Sequence, residues 1–157
     1  AIMRTDSVVS TIQTEGIILE KLSYQFANWN RGQAENKMTQ LINRYGTDIE
    51  LVISNNDEMA LGAAAAYDAL GYPQDSRPVI LGIDGLDSAL EAVKKGYIQG
   101  TVYNDKEGQA RAMASLAYLA ATGGSMKNIK FEDKKYVYLP YEKVTLDNVN
   151  EFVKDEQ

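Results

Sequence analysis

Apolar residues along the chain fall in two alternating patterns. Short, nearly continuous apolar runs occur at "IILEKLSYQ" (17–25), "IELVIS" (49–54), "PVILGID" (78–84), "QGTVY" (99–103) and "KYVYLPY" (135–141), and each predicts a strand. Between them, apolar positions recur at three- and four-residue steps. Val8, Val9 and Ile12 mark one face of a helix within 5–14, closed by Gly16. Ala34, Met38, Leu41, Ile42 and Tyr45 mark a second helix that stops near Gly46. Further helices are predicted over 57–70, where an alanine run favours close packing, and over 86–96, 106–124 and 146–154. Strands that are apolar throughout, rather than alternately polar, belong to a sheet buried on both faces. The expected fold class is therefore α/β, a parallel sheet flanked by helices on both faces.

The polar residues then fall at particular places. Asn55, Asn56 and Asp57 follow one strand, Asp84 ends the next in "LGIDG", and Asn104 follows "GTVY". Trp29 lies in the loop "FANWNRG" after the first predicted strand. Open α/β sheets bind ligands outside the carboxyl ends of their strands, so Trp29, Asn56, Asp84 and Asn104 are expected to converge on one crevice. Their chemistry suits a sugar. A carboxylate accepts from two hydroxyls, an amide both donates and accepts, and an indole offers a flat apolar face to the C–H side of a pyranose. Arg4 would add charge-assisted bonds. Each residue also has a plainer reading. Asp57 suits the N-cap of its helix, and Asp84, Asn55 and Asn56 suit turns. Trp29 suits a core anchor and Arg4 a solvated helix position.

Composition narrows the function. With 157 residues the chain is long enough for one domain with a real core. A net charge of −6 without a dense basic run disfavours sequence-independent nucleic-acid binding. The sequence has no cysteine and no histidine, which excludes thiol chemistry, disulfides, Cys-based zinc sites and a serine–histidine triad. Asp57 and Asp84 are candidate acid–base carboxylates of the kind that cleave glycosides. No distinct nucleophile or oxyanion donor accompanies them, so a binding function is favoured over an enzyme. No apolar run approaches membrane-spanning length, and no signal peptide is visible. A start at Ala1 rather than Met suggests a processed or trimmed product.

"LVISNNDEMALGA" followed by "VILGIDGLDSALEAVKKGYIQGTVYND" resembles the periplasmic sugar-binding proteins of ABC transporters. "FANWNRGQAENKM" and "VKKGYIQGTVYND" resemble the galactose/glucose-binding branch. The resemblance implies a type I periplasmic-binding-protein fold of two α/β lobes around a sugar cleft, with this chain a C-terminal portion. Residues 1–104 would be the second lobe without its first strand, which is expected before Arg4. Residues 105–140 would be a hinge crossing and a segment of the other lobe, and 141–157 the return to the second lobe. By the same resemblance Trp29 stacks on the pyranose, and Arg4, Asn56, Asp84 and Asn104 bind hydroxyls. Glu50 matches a carboxylate that completes a structural calcium site, and otherwise reads as a solvated strand-edge charge. No cofactor is required. The implied partners are galactose or glucose and a membrane permease, outside the cytoplasm, in a periplasm or on a cell-surface lipoprotein. The helix within 106–123 would expose a face made for the other lobe, which favours self-association. The effector domain of a LacI-type transcription regulator is the alternative, since it carries a close version of "NDEMALGA".

Overall fold

Helices and strands alternate along the chain in the computed structural model, which describes residues 2–153. The helices are α1 (Ile2–Thr14), α2 (Arg31–Tyr45), α3 (Asp57–Ala69), α4 (Asp87–Lys94) and α5 (Lys106–Thr122). The strands are β1 (Leu51–Ile53), β2 (Val79–Leu81), β3 (Gly100–Asn104) and β4 (Tyr141–Thr145). They form one sheet in the order β1-β2-β3-β4. The first three strands run parallel, with Val52 opposite Ile80, and β4 closes the edge antiparallel to β3.

The core lies between the sheet and helices α2, α3 and α4. Ile80 and Val144 of the sheet bury together with Ala60, Ala63 and Tyr67 of α3 and Leu90 and Val93 of α4. Alternation along the strands sends Leu51, Ile53, Val79 and Leu81 to the opposite face, where cover is thinner and Val79 is 44% exposed. The alanine run of α3 works as its composition implies, since small side chains let α2 pack against it closely. A Cβ on Gly62 would stand 2.2 Å from the carbonyl oxygen of Arg31, so that crossing needs a glycine. Arg31 and Glu58 tie the two helices across the same contact through paired bonds of 3.0 and 3.1 Å.

Three sequence expectations are corrected. Residues 17–25 form no strand. A strand needs a neighbour, and this segment lies beside α1 with a groove between them lined by Ile2, Val9, Tyr24 and Phe26. Its anchor is the Tyr45 hydroxyl, which donates to the Leu22 carbonyl at 3.0 Å. The last strand is 141–145 rather than 135–141. Pro140 offers no N–H to a ladder, and pairing with β3 begins at Tyr141, immediately after it. The helix expected over 146–154 is one turn of 3-10 helix, Val149–Glu151, and Lys154 lies outside the described residues. Asn148 holds that turn, accepting from the Thr145 N–H and donating to the Lys143 carbonyl.

Helix α5 is fully formed and buries none of its residues. Its ends follow local rules. Asp105 caps the first turn by accepting from the Gly108 N–H at 2.8 Å, and Gly123 closes it in the left-handed conformation with φ 68°.

Candidate functional site

The carboxyl ends of β1, β2 and β3 bring three of the sequence-predicted residues, Asn56, Asp84 and Asn104, to one end of the sheet. Asp84 follows β2. Its N–H donates to the Val102 carbonyl at 2.9 Å, and its own carbonyl accepts from the Asn104 N–H at 3.1 Å. Two backbone bonds thus fix Asp84 beside the end of β3 and place Asn104 next to it. Asp84 takes this position with φ 129°, a conformation that L side chains rarely adopt.

Arg4 reaches this group from α1. Its Nη1 donates to the Asn55 carbonyl at 2.6 Å and stands 3.4 Å from the Asp84 Oδ1. The guanidinium also lies 6.0 Å from the centre of the Trp29 ring. Arg4 is therefore not a solvated helix residue, since it bridges β1, β2 and the tryptophan loop. Burial pushes the Asp84 carboxyl above its ordinary value, and the Arg4 charge and hydrogen bond act against that rise.

Trp29 is 48% exposed, so it is not a core anchor. It sits in a tight turn closed by a bond from the Asn30 N–H to the Ala27 carbonyl. Asn28 and Trp29 both have positive φ, 49° and 61°. Two consecutive left-handed residues are the mark of a type I′ turn, and asparagine tolerates that conformation well. Asn30 then caps α2 by accepting from the Gln33 N–H. The loop is pinned on both sides and holds the indole out of the core.

The cap role read for Asp57 falls to its neighbour Asn56. Asn56, not Asp57, is the N-cap of α3, with its Oδ1 accepting from the Met59 N–H at 3.1 Å. The NH2 group of Asn56 has no hydrogen-bond partner among the described residues. Asp57 sits in the first helical turn and is wholly buried. Its carboxylate accepts from the Leu86 N–H at 2.8 Å and from the Thr101 hydroxyl at 2.6 Å. Burial raises its pKa, and those two bonds oppose the rise. With no exposed surface it cannot serve as an acid or base toward a ligand.

Thr5 is a participant that the sequence did not single out, and Asn55 one that it named only as a strand-end turn residue. Their side chains bond to each other, with the Asn55 Nδ2 2.9 Å from the Thr5 hydroxyl. The Asn55 carbonyl holds Arg4. The double asparagine was the available signal, because one such residue suffices to cap a helix. Asn104 Oδ1 accepts from the Gln109 amide of α5, so its position is tied to that helix.

Glu50 lies at the other end of β1, exposed, with its carbonyl accepting from the Val79 N–H. Calcium takes six to eight oxygen ligands. Among the described residues no group of three or more Asp, Glu, His or Cys could hold a metal ion, so the residues present do not fit a calcium site. No helix among them is long and apolar enough to cross a membrane.

The periplasmic binding protein domain family matches residues 1–125. The D-galactose/methyl-galactoside binding periplasmic protein of Haemophilus influenzae is 37% identical over 97% of this chain and 46% of its own length. A xylitol-binding protein of Mycolicibacterium smegmatis is 34% identical over 84% of this chain and 35% of its own. Among solved structures, an ABC transporter solute binding protein of Bacillus halodurans with bound myo-inositol superposes with a TM-score of 0.80 at 38% identity. It covers 96% of this chain and 48% of the other. The chain thus spans less than half the length of these relatives.

Proposed function

The chain belongs to the periplasmic binding protein family, and from that premise we propose that it forms one sugar-binding wall of a two-lobed receptor serving an ABC transporter. The convergence of Arg4, Trp29 and Asp84 carries the reading. Three segments far apart in sequence place a cation, an exposed aromatic face and a carboxylate within reach of one another. A pyranose laid on Trp29 would meet the Asp84 carboxylate and the Arg4 guanidinium at its hydroxyl edge. The Asn56 NH2 and the Asn104 amide would supply further partners. The proposed binding is non-enzymatic: Asp57, the carboxylate the sequence offered with Asp84 for acid–base chemistry, is buried and occupied.

Residues 1–104 would then be the second lobe, with 105–140 crossing to the first lobe and contributing to it, and 141–157 returning. Closure of the two lobes would complete the ligand's hydrogen bonds and present the receptor to a membrane permease outside the cytoplasm. Galactose or glucose is the proposed ligand. Relatives whose names specify other polyols, xylitol and myo-inositol, make the choice of ligand the point to test.

Trp29 is the only tryptophan, so its fluorescence reports on the proposed site without labelling. The chain would be titrated with galactose, glucose, ribose and myo-inositol. A saturable change with the two hexoses and none with ribose supports the reading. Preference for myo-inositol would move the ligand to the cyclic polyols, and silence toward all four would show that this wall alone is not a receptor.

A further inference from the structure

We propose that Asp57 is a positioning residue that clamps the turn 84–86 and thereby sets the direction of the Asp84 side chain at the ligand site. The proposal rests on the sugar reading for its consequence, and on geometry alone for the clamp. A buried carboxylate is costly unless its lone pairs are occupied, so a packing role alone would favour an apolar residue here. The helix does not need it as a cap, because Asn56 already fills that role. Its side-chain bonds go instead to the turn after β2, at the Leu86 amide, and to Thr101 on β3. Its own N–H donates to the Ile83 carbonyl at 2.8 Å, next to the same turn.

The surroundings are shaped around that carboxylate. A Cβ on Gly82 would lie 2.2 Å from the Asp57 Oδ1, so glycine clears the space the oxygen occupies. The turn it holds needs holding. Asp84 and Gly85 have consecutive positive φ values, 129° and 72°, and the first belongs to a residue with a side chain. Two bonds to β3 fix the Asp84 backbone from one side, through Val102 and Asn104. Asp57 fixes the Leu86 amide, two residues on, from the other. Released at Leu86, Asp84 would be free to relax out of its strained conformation, and its carboxylate would turn away from Arg4 and Trp29. Thr101 completes the device by fixing the carboxylate rotamer through its hydroxyl.

The test uses this chain with Asp57→Asn, Thr101→Val and Thr101→Ser. Amide hydrogen exchange without sugar reads the clamp directly. In Asp57→Asn, exchange at Leu86 is expected to quicken about tenfold, the worth of one hydrogen bond to a charged group, with Ile80, Val93 and Ile98 unchanged. Thr101→Val is expected to show a smaller change at the same amide, and Thr101→Ser, which keeps the hydroxyl, none. Galactose titration through Trp29 reads the consequence. Asp57→Asn is expected to weaken binding about tenfold in the parent chain and less than about twofold in an Asp84→Asn background, because its effect passes through Asp84. Unchanged exchange at Leu86 in the folded variants would overturn the proposal, as would full independence of the two substitutions in binding. A parent chain silent toward hexoses would overturn the sugar reading while exchange still decides the clamp. If Asp57→Asn does not fold, the valine–serine pair at Thr101 decides it.

Discussion

The Arg4 guanidinium stands 3.4 Å from the Asp84 carboxylate, joining two residues eighty positions apart at the mouth of the sheet. The pair works in both directions. Asp84 orients the arginine beside Trp29, and the arginine favours the ionised form of a carboxyl whose burial pushes its pKa up. A protonated Asp84 has lost its charge and exchanged one acceptor site for a donor. Hexose affinity is therefore expected to fall as pH is lowered through the raised pKa of Asp84. In Arg4→Ala the opposing charge is gone, the pKa rises further, and the fall begins at higher pH. The same variant is expected to lose about tenfold in affinity at neutral pH, one charge-assisted bond. Binding isotherms across a pH series would check both. Parallel pH profiles for the two proteins would show that Arg4 does not govern Asp84.

Gly62 offers a stability test in which two effects oppose each other. Glycine to alanine within a helix normally stabilises by about 1 kcal/mol. Here the new methyl would sit 2.2 Å from the Arg31 carbonyl oxygen, and backbone does not yield cheaply. Gly62→Ala is expected to destabilise by about 1–3 kcal/mol through overpacking at the α2–α3 crossing. Urea unfolding measures it. An increase in midpoint would mean that the two helices separate freely.

Much of this architecture was legible because it is written locally. The three-and-four spacing of Ala34, Met38 and Ile42 predicts α2, and all three residues are buried. The strand-end rule brought Asp84 and Asn104 together before any coordinates, and the backbone bond between them is the reason they meet. What was lost depends on partners. The run at 17–25 has a strand's composition, but pairing is a property of two segments, and among the described residues none pairs with it as a strand. Propensity could not choose between Asn56 and Asp57 as a cap, because both types suit the position. Distant residues made the choice, with Leu86 and Thr101 drawing the aspartate inward. The path of the chain after α5 was the least legible. There Pro140 and Asn148, rather than apolar periodicity, decide where a strand begins and a helix fails to form.

Helix α5 and the segment after it predict self-association of the isolated chain. Met113 and Tyr118 on the helix are 65% and 68% exposed, and Tyr138 and Tyr141 beyond it are similarly open. Apolar surface gathered on a helix with no buried residue is a site awaiting cover. Sedimentation velocity over a concentration series is expected to show reversible oligomers. A Met113→Glu, Tyr118→Glu double variant is expected to shift them to monomer with the circular dichroism of α2–α4 retained. A parent chain that stays monomeric at high concentration would show that this face does not drive association between copies.

Asp57 makes the stability of the fold depend on pH in a direction opposite to that of an ordinary surface carboxylate. Its folded pKa is raised above the unfolded value near 3.8 because burial outweighs the bonds from Thr101 and Leu86. The native state therefore binds the proton more readily than the unfolded chain does. For this group, stability is full below the unfolded value and is lost as pH rises through the folded one. Asp57→Asn removes the titration and one charge-assisted bond to the turn. The lost bond shifts stability by an amount independent of pH, so the pH-dependent part of the difference between parent and variant isolates the titration. Urea midpoints taken from neutral pH down toward about pH 4 are expected to move in favour of the parent as the solution is acidified. The change belongs in the window between the raised folded pKa and 3.8, and not above it. A constant difference across that range would mean that the Asp57 carboxyl titrates alike in both states. Its burial would then be offset in full by the hydrogen bonds from Thr101 and the turn after β2.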